Sequence, residues 1–110
     1  MARIEQIAAE YGIAVEEITL WVKEGWVLPR GLPEAPSACE FDSADIARLR
    51  LIADLAHDMG IGREALPVVL HLIDQIHALR RRMSRLSAAL DAMPEENRAE
   101  LLSILMRESD

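Results

Sequence analysis

The stretch Ile4–Gly25, IEQIAAEYGIAVEEITLWVKEG, decides the architecture of this chain. Ile4, Ile7, Ala8 and Tyr11 recur at i, i+3, i+4 and i+7, the spacing that lines one face of a helix, and Gly12 closes it. After a tight Gly-Ile-Ala turn, Val15, Ile18, Trp21 and Val22 repeat the spacing until Gly25. Two short helices joined by so short a turn are the outline of a helix-turn-helix. Trp21 falls at core spacing. Trp26, just past the second helix, either covers the small core or stands exposed as a partner anchor, since aromatics are enriched at binding hot spots. Trp26-Val27-Leu28 reads as a short strand. The following Pro29–Cys39 stretch, with Pro29, Gly31, Pro33 and Pro36, is a loop in the position of a wing, its prolines leaving little room for a hairpin.

Downstream, Asp42-Ser43 supplies an N-cap and Asp45 an acid in the first turn of a third helix. Its inward face is expected to carry Ile46, Leu49, Ile52 or Ala53, Ala56 and Met59, with Gly60 as the stop. A long helix should begin near Arg63, Pro67 being tolerated close to its start. Along it Val69, Leu72, Ile76, Leu79, Met83, Leu86, Leu90 and Met93 follow at steps of 3 and 4 without a break, and no Gly or Pro interrupts them. This is a heptad seam of roughly 36 Å, too long for a small domain to cover, and so a surface for association with a second copy. After Pro94, a final amphipathic helix with Leu101, Leu102, Ile104 and Leu105 is expected to cap the seam. The organisation expected is a helix-turn-helix domain at 1–62, a dimerisation helix at 63–93 and a C-terminal helix at 94–110. The fold class is all-α.

The chain has 110 residues, one domain-sized unit, with 51% hydrophobic residues, only 4% aromatics and a net charge of −7. This composition excludes disorder, and no apolar run reaches the length of a membrane span. The first residues show no signal-type apolar core, so a cytoplasmic location is expected and no membrane partner. A single cysteine, Cys39, excludes an internal disulfide framework and lacks a resolving partner. No phosphate loop, nucleophile elbow or Cys/His pair supports catalysis; no enzyme activity, cofactor or metal is expected. His71, Asp74 and His77 lie three apart, but such steps splay the side chains, and a metal needs a further ligand. They read as a solvated helix face, and His57 as a lone surface residue.

Charge decides between partners. Residues 1–40 carry 3 basic and 7 acidic side chains, and 67–94 carry 4 and 2. Those four cations, Arg80, Arg81, Arg82 and Arg85, wrap around the long helix and are expected to pair with acids across a dimer. The second helix of the helix-turn-helix should read DNA with Arg, Lys, Asn or Gln. Its polar positions are Glu16, Glu17, Thr19, Lys23 and Glu24, and the loop offers Arg30 against Glu34 and Glu40. Acids here forfeit counterion release and add repulsion, so nucleic acid is not the expected partner.

The ordered set Tyr11-Gly-Ile, Glu16-Glu-Ile-Thr-Leu-Trp-Val-Lys-Glu-Gly-Trp-Val-Leu-Pro29 and Phe41-Asp-Ser-Ala-Asp-Ile-Ala-Arg-Leu-Arg-Leu-Ile52 resembles the N-terminal domain of MerR-type proteins. With Leu66-Pro-Val-Val-Leu-His-Leu-Ile-Asp-Gln-Ile-His-Ala-Leu-Arg80, residues 4–93 resemble the CbpM family of MerR-like chaperone modulators. The resemblance implies a bacterial cytosolic homodimer joined by an antiparallel coiled coil. It implies binding to the J-domain of a CbpA-type co-chaperone, blocking both its stimulation of a DnaK-type chaperone and its DNA-linked activity. J-domains dock through a basic helix, which an acidic modulator suits. The arginines that MerR regulators carry in the second helix and wing, and their sensor cysteines, are not matched here.

The reading is therefore a non-enzymatic J-domain modulator, with a MerR-class transcription regulator as the alternative. A small enzyme or ligand binder would need a concave polar pocket that the sequence does not announce. Partner-binding candidates are Glu16, Glu17, Glu24, Trp26, Asp42 and Asp45. Dimer-interface candidates are Val69, Leu72, Ile76, Leu79, Met83, Leu86 and Leu90.

Overall fold

The computed structural model describes residues 1–108. It is all-helical, with helices α1 (Ile4–Tyr11), α2 (Val15–Lys23), α3 (Ser43–Ala53), α4 (Leu66–Asp91) and α5 (Glu95–Glu108). Short turns of 3₁₀ (Pro36–Ala38) and π type (Asp54–Asp58) supplement them. Contacts divide the chain into two compact units, Met1–His71 and the residues from Leu72 onward. The first 6 residues of α4 therefore belong to the first unit.

In the first unit the α1–α2 turn works because Gly12 takes a left-handed conformation (φ 68°). Gly25 (φ 78°) ends α2 the same way. Its amide donates to Val22 O (3.1 Å) and that of Trp26 to Trp21 O (3.0 Å), the two bonds of a Schellman motif. That turn folds Trp26 back into the core, where it is buried together with Val27. No strand forms at 26–28. The wing is reduced to an isolated antiparallel bridge, Arg30 with Glu40, closing the proline-rich loop. A second bridge joins Ala2 to Phe41.

The core holds Ile4, Ile7, Ile18, Trp21, Val22, Leu49 and Ile52, as the spacings require, plus Ile13, Phe41, Leu55, Leu66 and Leu70. Val15 and Met59, expected inside, are 39% and 68% exposed. Val15 opens α2, and Ile13 in the preceding turn takes the inward place. Met59 is displaced by the π turn: its amide bonds back five residues to Asp54 O (3.1 Å), which changes the phase of the helix and brings Leu55 inward.

α3 starts on a reciprocal capping box. Asp45 N donates to Asp42 Oδ1 (2.8 Å) and Asp42 N to Asp45 Oδ2 (3.0 Å). The long helix starts at Leu66, not near Arg63, because residues 63–65 form a turn in which Leu66 N already bonds to Gly62 O (3.0 Å).

In the second unit the seam residues Leu72, Ile76, Leu79, Met83 and Leu86 are 48–62% exposed. The expected cap does not cover them. Half-buried positions are Ile73 and Ala78 along α4 and, at the α4–α5 junction, Leu90, Met93, Arg98 and Leu101. Leu102, Ile104 and Leu105 of α5 are exposed as well.

Candidate interaction surface

The two turns of α2 place its polar side chains on two stripes. Glu16 and Lys23 lie seven residues apart, nearly in line, with Thr19 between them. Glu17 and Glu24 form a second line, rotated by about 100°. The first stripe faces outward and carries one acid and one cation, both exposed. The second faces the segment after α3. There His57 Nε2 lies 2.5 Å from Glu17 Oε2 and Arg63 Nη2 2.6 Å from Glu24 Oε1. A carboxylate only accepts, so the imidazole nitrogen carries the hydrogen. The Trp21 ring, between the two acids in sequence, packs tilted against His57 at 6.5 Å. The expectation of a partnerless His57 is thus corrected; its partner is 40 residues away in the chain.

Of the six partner-binding candidates, Glu16 and Asp42 have exposed carboxylates with no tie to another element, Asp42 capping its own helix. Glu17 and Glu24 are paired within the chain, to the His57 imidazole and the Arg63 guanidinium, each in an exposed or half-exposed pair. Trp26 is 9% exposed, which leaves it little surface for a partner. Its carbonyl accepts from Arg48 Nε at 2.9 Å, tying α3 to the loop. Asp42 and Asp45 sit together at the α3 N-terminus, away from neither solvent nor each other. The amide of Asp45 holds the Asp42 carboxyl below its ordinary range, while partial burial and the Asp42 charge push Asp45 up.

Half of the cations of the first unit are engaged within it. Arg48 bonds to Trp26, Arg50 lies 5.1 Å above the Tyr11 ring and Arg63 holds Glu24. Arg3, Lys23 and Arg30 remain exposed. Residues 1–71 carry 6 basic and 12 acidic side chains, a net −6. Arg80, Arg81, Arg82 and Arg85 are exposed on α4.

Cys39 is buried, its thiol donating to Leu32 O (3.4 Å). Burial, with the Glu34 charge as a lesser cause, holds it above the ordinary thiol value. It floors a small apolar cleft of about 130 Å³ with Val22, Val27, Pro29 and Pro33. Among the described residues no group of three His, Cys, Asp or Glu is placed to hold a metal ion, and no helix is long and apolar enough to cross a membrane.

Residues 2–88 match the family described as MerR HTH family regulatory protein. The chain belongs to this family. The match takes in the helix-turn-helix, the reduced wing and most of α4. No curated protein and no solved structure gives a significant match.

Proposed function

We propose that this MerR-family protein is a non-enzymatic modulator of the CbpM type, which binds the J-domain of a CbpA-type co-chaperone and inhibits its work with a DnaK-type chaperone in the cytoplasm. The observation that carries the reading is the sign of the charge around the helix-turn-helix: −6 over residues 1–71, with Lys23 the sole cation of α2. A helix that reads DNA lies against two walls of phosphate and needs cations there. A basic protein helix needs the opposite, and long-range attraction would speed its capture. The protein acts as a homodimer, its α4 seams paired antiparallel. Support for this comes from the five seam side chains that α5 leaves open.

The test is calorimetric titration with an isolated J-domain at low and raised salt. The proposal expects saturable heat that weakens with salt; no heat at any salt rejects it. The MerR match itself favours a second reading, a DNA-binding regulator. That reading requires a gel shift on the duplex upstream of its own gene, lost steeply as salt rises.

A further inference from the structure

Two nitrogen side chains, the His57 imidazole and the Arg63 guanidinium, reach α2 from the same segment, and they take the two carboxylates that share a face. Glu17 and Glu24 are separated by two helical turns, about 10.5 Å of rise, and point within about 20° of each other. His57 and Arg63, six residues apart on the stretch that leaves α3, sit on them at 2.5 and 2.6 Å. The π turn and Gly60 (φ 65°) bend that stretch across α2. The arrangement matches what a basic helix with cations two turns apart would present. Both pairs remain solvent-accessible, with Arg63 65% and His57 46% exposed, so each exchanges with an incoming cation at small cost.

We infer that residues 57–63 form an autoinhibitory contact: Arg63 and His57 occupy the acid pair of α2 and must be displaced before a cationic helix can use it. The inference rests on the proposed J-domain reading and names how that surface is held closed. It also explains why α2 and its C-cap show so little free charge despite three acids, Glu16, Glu17 and Glu24: two of them are already answered from within the chain.

The test compares Arg63→Ala with Lys23→Ala by calorimetry against the J-domain. Both remove one positive charge from the neighbourhood of α2, so a general field effect raises affinity equally. Displacement of an internal competitor gives Arg63→Ala an additional gain of about two- to fivefold, the worth of one exposed ion pair. That additional gain disappears in the Glu24→Gln background. Equal behaviour of the two variants, or a gain that survives Glu24→Gln, overturns the inference. If the unaltered protein ignores the J-domain, the functional reading fails. The autoinhibitory contact is then judged with a synthetic helical peptide bearing two arginines seven residues apart. The same variant ordering supports it there, and identical affinities refute it.

Discussion

Replacing Leu79 with alanine tests the seam where its consequence is largest and its side effects smallest. Leu79 keeps 55% of its surface exposed and lies outside the Met1–His71 unit, so its removal takes little from the folded chain. Pairing with a second copy would cover that remaining half. Full burial of a leucine side chain is worth about 1.5–3 kcal/mol, so the half still open contributes about 0.8–1.5 kcal/mol. A two-fold interface counts the position twice, giving about 1.5–3 kcal/mol per dimer, or an increase of about 10- to 150-fold in the dimer dissociation constant. Sedimentation equilibrium over a wide concentration range reads this directly. The helical circular dichroism at high concentration should stay near that of the unaltered chain. A dimer constant unchanged by Leu79→Ala would refute the assignment of the seam, as would a chain that is monomeric before any substitution. Met83, 62% exposed and four residues on, should behave alike.

Other outcomes follow from the first unit. Gly31 has φ 126°, and a β-carbon there would lie 3.1 Å from Cys39 Sγ, so Gly31→Ala should destabilise by about 1–3 kcal/mol in thermal unfolding. The same variant should raise the rate at which a thiol reagent reaches Cys39, which is buried in the unaltered protein. The capping box makes α3 sensitive to acid. The Asp42 carboxyl is depressed when folded, so the stability it contributes is present above the ordinary carboxylate pKa of about 4 and is lost as pH falls through its folded value. Asp45 is raised and works in the opposite direction, its contribution lost as pH rises through its own folded value. Asp42→Asn, which keeps the acceptor but does not titrate, should therefore flatten the acid side of the melting-temperature profile below about pH 4.

The helices of this fold were legible because their apolar spacing is local. Ile4 to Val22 carry two phases of a 3.6-residue repeat broken by one glycine, and the seam of α4 is written in seven apolar side chains at steps of 3 and 4, from Val69 to Leu90. What the spacing missed depends on partners distant in the chain or on a change of helical phase. Phe41 is fully buried and pairs its backbone with Ala2, 39 residues away, and nothing near either residue announces that bridge. Met59 left the core because one π turn shifted the phase, an event with no mark in the sequence beyond the glycine that follows.

The candidate surface was less legible than the fold. Glu16, Glu17 and Glu24 look alike as letters; only the folded chain shows that Glu17 and Glu24 meet His57 and Arg63 while Glu16 shares its stripe with Lys23. Trp26 was ambiguous until the Schellman turn fixed its direction. The i, i+7 spacing of the two acids was available from the start, but their partners, His57 and Arg63, were not, because they sit 40 and 39 residues on.

The account as a whole is tested most directly by a chaperone ATPase assay. A DnaK-type chaperone is stimulated by a CbpA-type co-chaperone while this protein is added in increasing amounts. The account predicts that the stimulated rate falls to the unstimulated one as the J-domain is saturated, and that added salt relieves the block. A stimulated rate that does not change at any ratio, alongside a shifted band on promoter DNA, would contradict it.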